Sequence, residues 1–388
     1  MLSLNHHLKA LVFALTLILL AAQCNTPPTP PMPGTPDGPV LPIALLSPHS
    51  GELATFGRMT RNGSIMVFDA WNQQGGILGH PINWAIYDTN CDFESGRQAV
   101  QQAIDDGYTF IIGPTCSEAA IAAAEIAEAE QVLMISPTAT HPLVTVDGQG
   151  QTRPSVFRAA YVWSWQAQAA ARFAMNNLQA TQAAILTTPN DDYGATLADA
   201  FSQSFAGQGG KIVRQDTYTP GDPALPEKLT AIAQTGATVI YLPVDVATAN
   251  QVGGQRNNLG LNNITLIGSD SWDTADLDRT ATAGSYFTTH FSMNNPAVRE
   301  WANAYKSGFA IEPNTLAALG YDAASLLLNA MAQANSLEPA AVIETLETGE
   351  FSAITGPIQF DPQHNPVKPV PIVYIKEGKI NFIDVITP

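Results

Sequence analysis

Twice along this chain short β-rich runs alternate with helical patterns, and that rhythm admits few architectures. Pro42–Leu46 reads as a strand, and Gly57–Gln74 as a helix with Ile65, Phe68 and Trp71 on one face and Gly75-Gly76 as its stop. Strands predicted at Ile82–Tyr87, Phe110–Ile112 and Val132–Ile135 alternate with helices predicted at Ser95–Asp105 and Ser117–Gln131. The order βαβαβαβ predicts a parallel, doubly wound sheet. After residue 160 the rhythm restarts, with strands at Ala183–Leu186, Ile212–Gln215, Val239–Leu242 and Thr265–Ile267 and helices beginning near Tyr193, Leu225 and Ala247. The expectation is an α/β protein of two Rossmann-like, doubly wound lobes that face each other.

Ahead of this lies an export pattern. Lys9 is followed by the apolar stretch Ala10–Ala22, thirteen residues, which matches the core of a secretory signal. A bilayer needs about 20 such residues. Residues 1–24 are therefore read as a signal peptide with Cys24 at its end. Cys24 is either the lipidated first residue of a lipoprotein, although Gln23 replaces the usual small residue before it, or it follows ordinary cleavage after Ala22. Residues 25–40 form a Pro-rich linker, with seven prolines in NTPPTPPMPGTPDGP that deny the backbone its donors and keep it extended. The folded part is expected outside the cytoplasm, in a periplasm or on the outer face of the cell membrane, touching membrane only through a lipid anchor.

With 17 Lys+Arg against 34 Asp+Glu the formal charge is −17, which leaves little basic surface for a phosphate backbone and excludes nucleic acid as a partner. Of the three cysteines, setting Cys24 aside leaves Cys91 and Cys116 free to bridge in an oxidising compartment. Two separately buried thiols are the alternative; no His lies between them to complete a metal site, and no metal or cofactor is expected.

In doubly wound sheets ligands sit beyond the carboxyl ends of the strands. After the third strand comes Gly113-Pro-Thr-Cys-Ser117, where Ser117 is placed as N-cap of an Ala-rich helix whose free amides attract a carboxylate. After the fourth comes Ser136-Pro-Thr138-Ala139-Thr140; in the second unit come Asn190-Asp-Asp-Tyr193-Gly and Gly268-Ser-Asp270-Ser-Trp272-Asp. Hydroxyls and amides for an anion on one side, and a carboxylate for a cation on the other, suit a zwitterion.

Those stretches, with Leu46-Ser-Pro-His-Ser-Gly51, Asn72 to Gly76 and Asp88-Thr-Asn-Cys91-Asp, resemble the leucine/isoleucine/valine-binding proteins, type I periplasmic binding proteins that deliver amino acids to ABC importers. The resemblance implies a Cys91–Cys116 disulfide and three hinge crossings, near Tyr161, Thr289 and Gly356. Lobe 1 is then residues 41–160 plus 289–355, and lobe 2 residues 161–288 plus 356–388. It also implies that Ser117, Thr138, Ala139 and Thr140 hold the ligand's carboxylate and ammonium. Tyr193 comes over the ligand from the second lobe, and Asp270 pairs with the α-ammonium. Phe56 stands where the family has a Tyr lining the side-chain pocket, and Asp245 where it has another aromatic. An extra carboxylate at that end admits a polar ligand.

Each residue has a plainer role open to it: Ser117 as a helix cap, Thr140 as a turn residue, Tyr193 and Trp272 as packing, and Asp270 as one solvated acid among Asp273, Asp276 and Asp278. Enzymatic chemistry is not expected, since Gly-x-Ser-x-Gly, His-Glu-x-x-His, Walker and Gly-x-Gly-x-x-Gly patterns are all missing. The reading is capture of an amino acid by closure of two lobes and delivery to ABC permease subunits. The alternatives are a sensing module for a signalling partner and a binder of an amide, urea or short peptide.

Overall fold

The computed structural model describes residues 39–387, so the signal, most of the Pro-rich linker and Cys24 lie outside the described residues. The first sheet is parallel throughout, in the order β2-β1-β3-β4-β5: β1 Leu41–Ser47, β2 Ile82–Asp88, β3 Phe110–Ile112, β4 Leu133–Ser136 and β5 Val156–Arg158. Side chains alternate across a strand, and here both faces of the central strands are covered, so β1, β3 and β4 are apolar up to the serines that close β1 and β4. Ile43 and Leu45 of β1 point into a core with helices α1 (Ala54–Asn72), α9 (Thr315–Ala334) and α10 (Pro339–Thr348), while Ala44 and Leu46 point at α2 (Phe93–Asp105) and α3 (Ser117–Ala129). Each such Leu or Ile removed from water contributes about 1.5–3 kcal/mol.

The second sheet has seven strands in the order β14-β13-β10-β9-β8-β6-β7. Its parallel part is β6 Gln182–Thr187, β7 Lys211–Thr217, β8 Val239–Leu242, β9 Thr265–Gly268 and β10 Tyr286–Thr288. The antiparallel hairpin β13 (Val370–Lys376) and β14 (Lys379–Ile386) extends it beyond β10. Helices α4 (Trp163–Asn176) and α5 (Asp192–Gly207) cover one face through Ala183, Ile185, Val239 and Tyr241; α6 (Leu225–Gln234) and α7 (Val246–Asn258) cover the other through Ala184, Leu186, Ile240 and Leu242. The remaining helix, α8 (Arg299–Phe309), packs with α9 on the first lobe through Trp301, Tyr305 and Ala317.

The chain leaves the first sheet after β5, through Ala159–Val162, and returns after β10, from Thr289 onward. The third crossing is not near Gly356. The hairpin β11 (Gln359–Phe360) and β12 (Pro366–Val367) stays with the first lobe: Ile358 and Phe360 join its core, Phe360 meets Phe157 edge-on at 5.0 Å, and His364 stacks on the same ring at 3.9 Å. The passage to the second sheet is at Lys368–Pro369, immediately before β13.

Lys368 is wholly buried there, and its Nζ donates to Ala159 O at 2.8 Å and Thr355 Oγ1 at 2.7 Å. Asp322, buried on α9, accepts from Ile354 N at 2.7 Å and from the amide and hydroxyl of Thr355. Burial pushes the Lys368 pKa down to about 8 against the opposing field of Asp322, whose own pKa burial raises.

Candidate functional site

Cys91 and Cys116 are disulfide-bonded, with Cα atoms 5.2 Å apart, so the loop after β2 is tied to the start of α3. Cys116, not Ser117, is the N-cap of α3, and Ser117 is the first helical residue. A half-cystine offers no oxygen to the first-turn amides, and no side chain caps this helix. Helices α2, α5, α7 and α9 are by contrast capped by Asp92, Asp191, Asp245 and Asn314. The turn that delivers α3 depends on Gly113: its φ is +122°, and a Cβ would come 2.1 Å from Leu46 O.

Beside it lies the turn after β4. Thr138 donates its hydroxyl to Thr115 O, Ala139 is buried, and Thr140 is half-buried. Arg158, fully buried at the end of β5, braces this turn from behind by donating to Ala139 O at 3.1 Å, Pro142 O at 3.0 Å and Thr145 Oγ1 at 3.0 Å. Burial pushes its pKa down to about 9, which still leaves it cationic at neutral pH, behind the hydroxyl-rich turn.

In the second lobe Asp270 opens a 3-10 turn, Asp270–Trp272, directly after β9. Its carboxylate is gripped from three elements. Oδ1 accepts from Tyr193 OH at the start of α5 and from Gln166 Nε2 of α4 at 2.8 Å; Oδ2 lies 3.1 Å from His290 Nε2 at the second crossing. Gln166 is fully buried, and its Oε1 accepts from Asp270 N at 3.0 Å and Thr288 Oγ1 at 2.7 Å. Burial pushes the Asp270 carboxyl up, but the bonds from His290, Tyr193 and Gln166 outweigh it and hold the pKa below the usual value. The Tyr193 hydroxyl is driven the other way, by burial and by Asp270.

Trp163 joins the two lobes. Its Nε1 donates to Thr140 Oγ1 at 2.7 Å, and its ring meets Tyr193 edge-on at 5.2 Å and His141 at 4.7 Å. Contacts thus run Thr140–Trp163–Tyr193–Asp270 from the hydroxyl turn to the carboxylate.

The other sequence-chosen residues lie less centrally. Phe56, near the start of α1, is 47% exposed. Asp245 is exposed and caps α7, its two oxygens accepting from Thr248 N at 2.9 Å and Thr248 Oγ1 at 2.7 Å. Trp272 is fully buried packing, seated over Gly268. Asp273 accepts from Thr289 at the second crossing and Thr315 at the start of α9, tying the lobes together. A cavity of about 450 Å³ opens beside that tie, lined by Arg279, Phe287, Phe291, Asn314 and Lys379 among others. Asp273 and Thr289 line it, but none of the ligand-binding residues chosen from sequence does.

Gln166, His290, Trp163 and Arg158 are the site residues that sequence reasoning missed. Gln166 alone carries a readable signal, as a polar residue on the helix face it shares with buried Ala169, Ala170 and Phe173.

The Periplasmic binding protein family model matches residues 40–379. The Leu/Ile/Val-binding protein BraC3 of Rhizobium johnstonii is 29% identical over 308 residues, 78% of this chain and 82% of that protein. The leucine-binding protein LivK of Thermotoga maritima superposes with a TM-score of 0.72 at 29% identity, covering 90% of this chain and 99% of LivK. LivJ of Streptococcus pneumoniae, a branched-chain amino acid transporter substrate-binding protein solved with isoleucine, gives 0.73 at 25% identity, covering 90% and 100%. The parallel sheets and the two-lobe arrangement match the type I periplasmic binding protein fold, and that family is extracytoplasmic. The chain belongs to the periplasmic binding protein family, as a type I member of its Leu/Ile/Val-binding branch, and is a substrate-binding protein rather than an enzyme. No helix among the described residues is long and apolar enough to cross a membrane.

Proposed function

We propose that this protein captures a free amino acid, a branched aliphatic one in first place, between its lobes and hands it to the permease of an ABC importer. The observation that carries the reading is the three-element grip on Asp270, a largely buried carboxylate connected through Tyr193 and Trp163 to the turn at Thr140. The ligand's ammonium pairs with Asp270. Its carboxylate lies against the uncapped start of α3 at Ser117 and the Thr138–Ala139–Thr140 turn, where the Thr140 hydroxyl accepts from Trp163 and keeps its proton to donate. Asp245 is already engaged by Thr248, which favours an aliphatic over a cationic side chain. Cys24 would anchor the mature protein by its lipid, a point that the mass of the membrane-extracted protein decides.

Calorimetric titration of ligand-stripped protein with the twenty amino acids is the test. Leucine, isoleucine or valine should bind most tightly, and Asp270→Asn should cost about 2 kcal/mol or more, as for one partner removed from a buried charge pair. An isotherm unchanged by Asp270→Asn removes Asp270 from the site; no heat with any amino acid overturns the function.

A further inference from the structure

We propose that His290 is a positioning residue for Asp270, held neutral with its proton on Nε2, so that it orients the carboxylate yet leaves its whole negative charge for a cationic ligand. The inference rests on the amino-acid reading above and deepens it.

A carboxylate can only accept, so the 3.1 Å contact from Asp270 Oδ2 requires hydrogen on His290 Nε2. The other nitrogen, Nδ1, is buried and has no hydrogen-bond partner among the described residues, so a second proton there would be a buried, unsatisfied donor. The imidazole lies nearly parallel to the Tyr161 ring, 3.6 Å between centroids, and Lys368 Nζ stands 6.0 Å from the centroid of that same tyrosine. Tyr161, His290 and Lys368 come one from each crossing, and together they form a buried column that ends on Asp270.

The charged and titratable groups around the imidazole are Asp270 after β9, Lys368 on the third crossing and Tyr161 on the first, with Tyr193 and Asp273 acting on the same cluster. Burial is the largest influence on His290 and lowers its pKa; Asp270 opposes this and Lys368 adds to it, leaving the net below the ordinary value. Were His290 an imidazolium, it would form an ion pair with Asp270 and the ammonium would meet a neutralised partner. Acid should therefore weaken ligand binding, starting below the pH at which a solvent-exposed histidine titrates.

Two readouts test this. Nitrogen NMR of histidine-labelled, ligand-free protein should show His290 at pH 7 as the neutral tautomer protonated on Nε2. Imidazolium, or the Nδ1-protonated form, would overturn the proposal whatever the ligand is. Leucine titrations form the second arm. His290→Gln, which keeps a neutral donor, should hold the affinity within about threefold at pH 7 and abolish the acid-side loss. His290→Leu should weaken leucine about tenfold or more, as for a lost hydrogen bond to a charged group. Full affinity in His290→Leu would sink the positioning role. If wild-type protein takes no amino acid, the amino-acid reading fails while the tautomer is still decided by NMR.

Discussion

Asp270 is one of 34 acidic residues, and its carboxylate sits in a polar shell drawn from three elements. Gln166 uses both ends of its amide on that job, bonding the Asp270 carboxylate, the Asp270 amide and Thr288. Gln166→Leu should leave the Asp270 and Thr288 groups short of partners, at about 1–3 kcal/mol for each buried group left unsatisfied. The loss should appear both in the urea midpoint and as weaker leucine binding. A variant that lost stability while binding leucine normally would show that Gln166 only supports the fold. Asp270 and Tyr193 could be picked out from the sequence because they lie in the turn after β9 and at the helix start that follows β6, in stretches that carry the family resemblance. Gln166 showed only as a polar residue on an apolar helix face, and Arg158 not at all, because they act from behind the cleft through residues distant in sequence, a pairing that appears only once the strands are aligned.

At the scale of elements, capping separates the helices that end on the cleft. Asp191 and Asp245 spend their carboxylates on α5 and α7, whereas the N-cap of α3 is a sulfur. Asp245→Ala should cost about 1 kcal/mol of stability, the ordinary value of a cap, and leave leucine affinity within twofold. Chemical denaturation paired with titration checks both parts; a large affinity change would restore Asp245 to the binding pocket. Strands β1 to β4 and β6 to β9 could be read from the alternation of apolar runs with helical patterns, but the hairpin β13–β14, which belongs to no such alternation, could not. The three-residue strands β5 and β10 could not, since unlike the equally short β3 they are not set between two helical patterns. The two-residue strands β11 and β12 escaped for the same reason, and with them the position of the third crossing, since only the packing of Ile358, Phe360 and His364 on Phe157 reveals that this stretch stays in the first lobe.

For the molecule as a whole, stability leans on two long-range constraints. The Cys91–Cys116 bond closes a loop of separation 25, worth about 3.5 kcal/mol in the chain-entropy picture, so the double Cys→Ala variant should unfold at lower urea by that order. Equal midpoints would show that the bond adds nothing to the folded state. The second constraint is the buried Lys368 with Asp322 at the hinge. Lys368→Met leaves Ala159 O and Thr355 Oγ1 without the donor that Nζ supplies and should destabilise by about 1–3 kcal/mol for each buried group left unsatisfied. Below pH 8 Lys368 is protonated in both folded and unfolded chains. Between pH 8 and 10.5 the unfolded chain binds more protons than the folded one, so this group's contribution to stability rises with pH there. Unfolding curves across that window should lose this rise in Lys368→Met.

The indole at the seam carries a practical corollary. Trp163 is one of six tryptophans, and it touches a tyrosine, a histidine and a hydroxyl contributed by both halves of the molecule. Any swing of one half against the other changes its polarity and its quenching neighbours together. The protein thus contains a built-in fluorophore for following occupancy, readable without labels and abolished selectively by Trp163→Phe.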